Sequence, residues 1–115
     1  MPLRVLIVED EMTIALLIED MVLDMGHEVA GMAMRLPQAI ELAKSGEFDF
    51  AILDVNLDGH RSFPVADVLS ARGVPFIFAT GYGSAGMEGA YVGNRVIKKP
   101  FMASDLENAI RIAAT

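Results

Sequence analysis

Short, nearly unbroken apolar runs alternate along this chain with segments whose apolar residues recur every three or four positions, and no other feature limits its fold as strongly. Residues 3–8 form the first run, broken only by Arg4, and residues 50–53 form a second. Such runs are how strands buried on both faces look in sequence. Residues 28–33, 75–79 and 95–98 supply three further strand-like stretches. Between them, Ile14, Leu17, Ile18, Met21 and Met25 keep helical spacing over residues 12–25, with Gly26 as the stop. Shorter helices are expected over 37–44 and 65–72, and Ser104 with Glu107 reads as a capping box opening a terminal helix. Parallel strands need crossover connections, so this alternation predicts an α/β fold, a doubly wound five-stranded parallel sheet with helices on both faces. The stretch after Thr80 carries Gly81, Gly83, Gly86, Gly89 and Gly93, so a fourth helix there is expected to be short or frayed.

At 115 residues the expectation is one domain over residues 1–115, with no output domain. A 53% apolar and 22% charged chain can build a core and stay soluble, which argues against disorder. No run nears the roughly 18 apolar residues of a membrane span, so no membrane association is expected. A formal charge of -7 with scattered bases argues against nucleic acid as a partner. The absence of cysteine excludes a disulfide scaffold and thiolate metal sites, and fits a cytoplasmic location.

In open α/β sheets ligands bind beyond the carboxyl ends of the strands, so residues ending different strands converge there. The first strand ends in Glu9 and Asp10, the third in Asp54, the fourth in Thr80, and the last in Lys98, Lys99 and Pro100. Clustered carboxylates repel one another and invite a cation. Oxygen ligands in an incomplete shell suit Mg²⁺. Carboxylate nucleophile, metal, hydroxyl and ammonium together point to phosphoryl transfer. As a bland alternative, Asp10 and Glu11 would simply cap the first helix.

These residues resemble the receiver domain of two-component response regulators: Val8-Glu9-Asp10, Ile52-Leu53-Asp54, Ala79-Thr80-Gly81 and Lys99-Pro100-Phe101 fall in the family's order and spacing over essentially the whole chain. The resemblance implies a flavodoxin-like fold with strand order 2-1-3-4-5. It implies Asp54 as phosphoacceptor, Asp10 as a Mg²⁺ ligand with Glu9 assisting through water, the Asn56 backbone carbonyl as a further ligand, and Thr80 and Lys99 on the phosphoryl oxygens. Residues 75–83 also look like the stand-alone receivers with a Phe-Ala-Thr-Gly-Tyr signature, which implies a histidine kinase partner, of the HWE class, or a histidine phosphotransfer protein. Two departures stand out: Val96 occupies a usually aromatic position three before the Lys, and Asp58-Gly59 stands where many receivers carry Pro. Given Val96 and the glycines, phosphorylation is expected to order residues 81–93, with Tyr82 screening the acyl phosphate.

Other patterns carry less. Residues 81–86 fit G-x-G-x-x-G, but Lys98-Lys99 stands where a dinucleotide domain needs an acid. Residues 54–59 open like an EF-hand loop whose twelfth position is Val65 instead of Glu. An aspartate-nucleophile phosphatase would want an acid where Asn56 stands. The methionines, including Met12, Met21, Met25, Met32 and Met34, read as core filler, Phe76, Phe78 and Phe101 as core, and His27 and His60 as surface residues. The chain is thus expected to be a signalling receiver and not an enzyme. The alternative is a receiver-like binding module that never takes phosphate.

Overall fold

The apolar runs become the strands of one parallel sheet in the computed structural model, which describes residues 2–81 and 96–113. In chain order the elements are β1 (Arg4–Val8), α1 (Met12–Asp24), β2 (Glu28–Ala33), α2 (Leu36–Ser45), β3 (Phe50–Asp54), β4 (Asn56–Leu57), β5 (His60–Arg61), α3 (Phe63–Arg72), β6 (Phe76–Thr80), β7 (Val96–Lys98) and α4 (Ala103–Ala113). The sheet runs β2-β1-β3-β6-β7, the 2-1-3-4-5 order of a flavodoxin-like receiver fold, and every neighbouring pair is parallel. The boundaries lie within two residues of those expected, the usual uncertainty at element ends.

Successive side chains of a strand point to opposite faces, and this sorts the core. Val5, Ile7, Phe50, Ile52 and Ile77 meet Ile18 and Val22 of α1 and Leu106, Ala109 and Ile110 of α4. Leu6, Val8, Ala51, Leu53 and Phe78 pack on the other face with Ala39 and Ala43 of α2 and Val65, Ala66 and Leu69 of α3. β3, central in the sheet, is buried throughout. Because β1, β3, β6 and β7 run the same way, their carboxyl ends all open on one edge of the sheet.

Some expectations shift. Gly26 does end α1, with φ +86° and its N–H donated to the Leu23 carbonyl at 2.9 Å. The terminal helix, however, is not capped by Ser104: it starts at Ala103, and Asp105 reaches back to accept the Met102 N–H at 2.9 Å. Asp105 sits at the third helical position, where a carboxylate can reach the backbone before the first turn, and Ser104 is already inside that turn. His27 is not a plain surface residue: it is half-buried, and its Nδ1 accepts the Leu3 N–H at 2.9 Å, tying the start of β1 to the turn after α1. Met21, Met25 and Met32 pack against the core, but Met12 is 50% exposed because it falls on the outer face of α1. His60 is exposed, and Phe76, Phe78 and Phe101 join the core as expected. The expected fourth helix and Tyr82 lie outside the described residues.

Candidate functional site

Glu9 directly follows β1, and its N–H still bonds the Ala33 carbonyl of β2 at 2.9 Å. The side chain is only 1% exposed. One oxygen accepts the Lys99 ammonium at 2.5 Å, and the other accepts the Glu11 N–H at 3.2 Å. Lys99 stands one residue past β7, held there by its own N–H, which donates to the Thr80 carbonyl at 2.9 Å. The same ammonium lies 3.2 Å from Asp54 Oδ2, so it bridges two carboxylates that arrive from different strands. Asp54 ends β3, and its Oδ1 accepts the Asn56 N–H at 3.3 Å.

Asp10 does something that position in sequence did not reveal. Helix α1 has no side-chain cap, and Asp10 turns instead across the site to accept the Asp58 N–H at 2.9 Å. Asp58 and Gly59, at φ +51° and +87°, form the two-residue turn of a small hairpin in which Asn56 pairs with Arg61 and Leu57 with His60. Positive φ at both positions is what a hairpin turn matching strand twist requires, and Asp-Gly supplies it at little strain. Where many receivers carry Pro, this chain therefore closes a two-stranded ribbon. Arg35 lies 3.7 Å from the Asp58 carboxylate, and the Ser62 N–H donates to the Val55 carbonyl at 2.8 Å behind the ribbon.

The result is a cavity of about 540 Å³ at the carboxyl edge of the sheet, lined in part by Asp10, Asp54, Asn56, Arg61, Thr80 and Lys99. Glu9 is not part of that lining and meets it through the Lys99 ammonium. Carboxylate oxygens of Glu9, Asp10 and Asp54 fall within 4.8 Å of one another. Of the residues singled out in sequence, all six thus gather in one place, with Thr80 buried and Lys98 turned outward. Arg61 was not singled out; the Asp-Gly dipeptide inside residues 56–61 was the sequence signal that would have brought it to the cavity.

Electrostatically the cluster is short of positive charge. Burial raises the Glu9 carboxyl to about 7, the Asp54 charge adding to the effect and Lys99 opposing it. Burial likewise raises Asp54 above the usual aspartate value against the pull of Lys99. For Asp10 burial is outweighed by hydrogen bonds, foremost the Asp58 N–H, and its carboxyl stays below the usual value. Lys99 gains more from Glu9 and Asp54 than burial takes away, so its ammonium is held charged. An acidic pocket of hard oxygens, whose Lys99 ammonium is already shared between two of the carboxylates, fits a small divalent cation.

A family model described as the response regulator receiver domain matches residues 5–111. Among solved structures, SdrG from Sphingomonas melonis Fr1 is 35% identical with a TM-score of 0.87, over 99% of this chain and 98% of that one. A BeF3-activated conformation of SdrG, from Pseudomonas melonis Fr1, matches with a TM-score of 0.83 at 35% identity, over 97% and 96% of the two chains. Among curated proteins, the transcriptional regulatory protein PdtaR of Mycobacterium tuberculosis is 32% identical over 99% of this chain and 58% of its own length. The phyllosphere-induced regulator PhyR of Methylorubrum extorquens is 34% identical over 96% of this chain and 43% of its own. The chain spans about half the length of these curated relatives. With the family's model covering nearly all of a sheet of the same order, and with the acidic pocket at its carboxyl edge, the chain belongs to the response regulator receiver domain family, whose members signal by accepting a phosphoryl group on an aspartate.

Proposed function

We propose that Asp54 is the phosphoacceptor and that residues 1–115 act as one receiver domain in the cytosol. The observation that carries this is the bridging Lys99 ammonium, 3.2 Å from Asp54 and bound to the buried Glu9. An Asp54 oxygen attacks the phosphorus of a phosphohistidine donor, the P–N bond breaks, and the imidazole keeps the electron pair and takes up a proton. The product is an acyl phosphate on Asp54. Lys99 neutralises charge on the phosphoryl oxygens, and the Thr80 hydroxyl, at the end of the neighbouring strand, donates a hydrogen bond to one of them. Glu9, Asp10, Asp54 and the Asn56 carbonyl would hold Mg²⁺, which supplies charge neutralisation at those oxygens.

The donor is a histidine kinase, of the HWE class by the likeness of residues 75–83 to the stand-alone receivers, or a histidine phosphotransfer protein. An apolar hollow of about 270 Å³ between Ile14, Leu17 and Ile18 of α1 and Pro100 and Phe101 adjoins the site through Lys99, and offers such a partner a surface beside the reacting carboxylate. Among the described residues no helix is long and apolar enough to cross a membrane.

Intact mass after incubation with acetyl phosphate tests the assignment. A single hydroxylamine-sensitive phosphoryl adduct is expected with Mg²⁺, and none without Mg²⁺ or in Asp54→Ala. An adduct that persists in Asp54→Ala would move the acceptor elsewhere. No adduct from acetyl phosphate or from phosphorylated kinases would leave a binding module that works without phosphate.

A further inference from the structure

We propose that Arg61 is a second cation for the phosphoryl group, reaching it from the hairpin at the carboxyl edge of the sheet. This rests on Asp54 being the acceptor. The placement follows from the ribbon. Asn56 and Arg61 are directly paired residues of an antiparallel pair, and such residues present their side chains on the same face. Both line the cavity that Asp54, Thr80 and Lys99 line. The Asp58-Gly59 turn folds the chain back so that a residue seven positions after Asp54 returns to the mouth of its pocket.

The base of this arm is anchored. Asp10 holds the turn through the Asp58 N–H, Arg35 pairs with the Asp58 carboxylate, and the Ser62 N–H closes the ribbon onto Val55. Arg61 itself is exposed at the open side of the cavity, away from the apolar core.

Charge balance supplies the reason for a second cation. Before transfer, and with Glu9 ionised, the three carboxylates would be matched by the Lys99 ammonium and a divalent ion held among them. Transfer replaces the single charge of Asp54 with a phosphoryl group carrying nearly two. One negative charge is then left over, and Lys99 is already shared between Glu9 and Asp54. A guanidinium offers two parallel N–H donors to a pair of phosphoryl oxygens, a geometry an ammonium lacks.

The test uses beryllium fluoride, a non-transferring stand-in for the phosphoryl group, titrated in saturating Mg²⁺ against wild type, Arg61→Gln, Arg61→Lys and Asp54→Ala and followed by amide NMR. Arg61→Gln is expected to bind it about tenfold more weakly. Arg61→Lys should recover part of that loss, and raising the salt should shrink the difference. Mg²⁺ alone is expected to bind Arg61→Gln as tightly as wild type or more tightly, because a positive neighbour has been removed. Equal beryllium fluoride affinity in wild type and Arg61→Gln would overturn the proposal, as would a parallel loss of Mg²⁺ affinity, which marks a merely structural role. Should Asp54→Ala bind beryllium fluoride as wild type does, the Asp54 assignment falls and the role of Arg61 falls with it.

Discussion

Glu9, with 1% of its surface exposed, is held by one ammonium and faced by another carboxylate. Its carboxyl binds a proton up to about pH 7 in the folded chain, against 4.5 ordinarily. Between those values the folded state therefore holds more protons than the unfolded one, and stability falls as pH rises. Glu9 contributes fully below about pH 4.5 and loses that contribution, on the order of 3 kcal/mol, by the time pH has passed about 7. Asp54, also raised, acts with the same sign. Asp10, lowered, acts oppositely, losing its contribution only as pH falls below its ordinary 3.8. Urea unfolding from pH 4.5 to 8 without Mg²⁺ should show a steeper decline for wild type than for Glu9→Gln, and millimolar Mg²⁺ should flatten the wild-type curve. Parallel curves for the two proteins would refute this account. The identities of these residues were legible because each ends a strand. That Glu9 lies deepest was not, since depth depends on how α1 settles over the sheet edge.

At the scale of elements, the ribbon of β4 and β5 decides how Asp10 behaves. A backbone N–H, that of Asp58, occupies one Asp10 oxygen, and backbone groups carry no letter in a sequence. The Asp-Gly turn was nevertheless readable, because positive φ at two successive residues restricts composition sharply. Gly59 sits at φ +87° with nothing within 4 Å of a would-be Cβ, so the penalty of a side chain there is backbone strain alone. Gly59→Ala is expected to cost about 1 kcal/mol, and Gly59→Asn less, since Asn tolerates the left-handed region. Chemical denaturation of the three proteins checks this; an Ala variant as stable as wild type would show that the turn relaxes. The Ala variant should also bind Mg²⁺ more weakly, by loosening the Asp58 grip that aims Asp10. The same lesson holds at α4, where the cap proved to be Asp105 on Met102: several carboxylates and hydroxyls in a row could each open the helix, and the docking of Leu106 and Ile110 on the sheet selected among them.

For the molecule as a whole, stability concentrates where the central strands meet the helices. Phe78 is fully buried, with Phe63 and Phe76 edge-on to it at centroid distances of 5.7 and 5.5 Å. Phe78→Ala removes a filled volume at the middle of one face and is expected to cost about 3–5 kcal/mol, much of the stability of a domain this size. Lys98→Ala, two strand positions from the register partner of Phe78 but exposed, should change stability by no more than about 0.5 kcal/mol. Thermal unfolding by circular dichroism compares the two, and a small effect at Phe78 would mean that the face repacks. By itself the sequence determined the alternation of strands and helices, the parallel sheet that alternation demands, and the residues at the strand ends, because periodicity and chain connectivity are local properties. The tertiary structure alone decided which carboxylate is buried, that Lys99 spans Glu9 and Asp54, and that the hairpin brings Arg61 and the Asp58 N–H to the site. Those are contacts between groups up to 90 positions apart, and their geometry is set by how the layers pack.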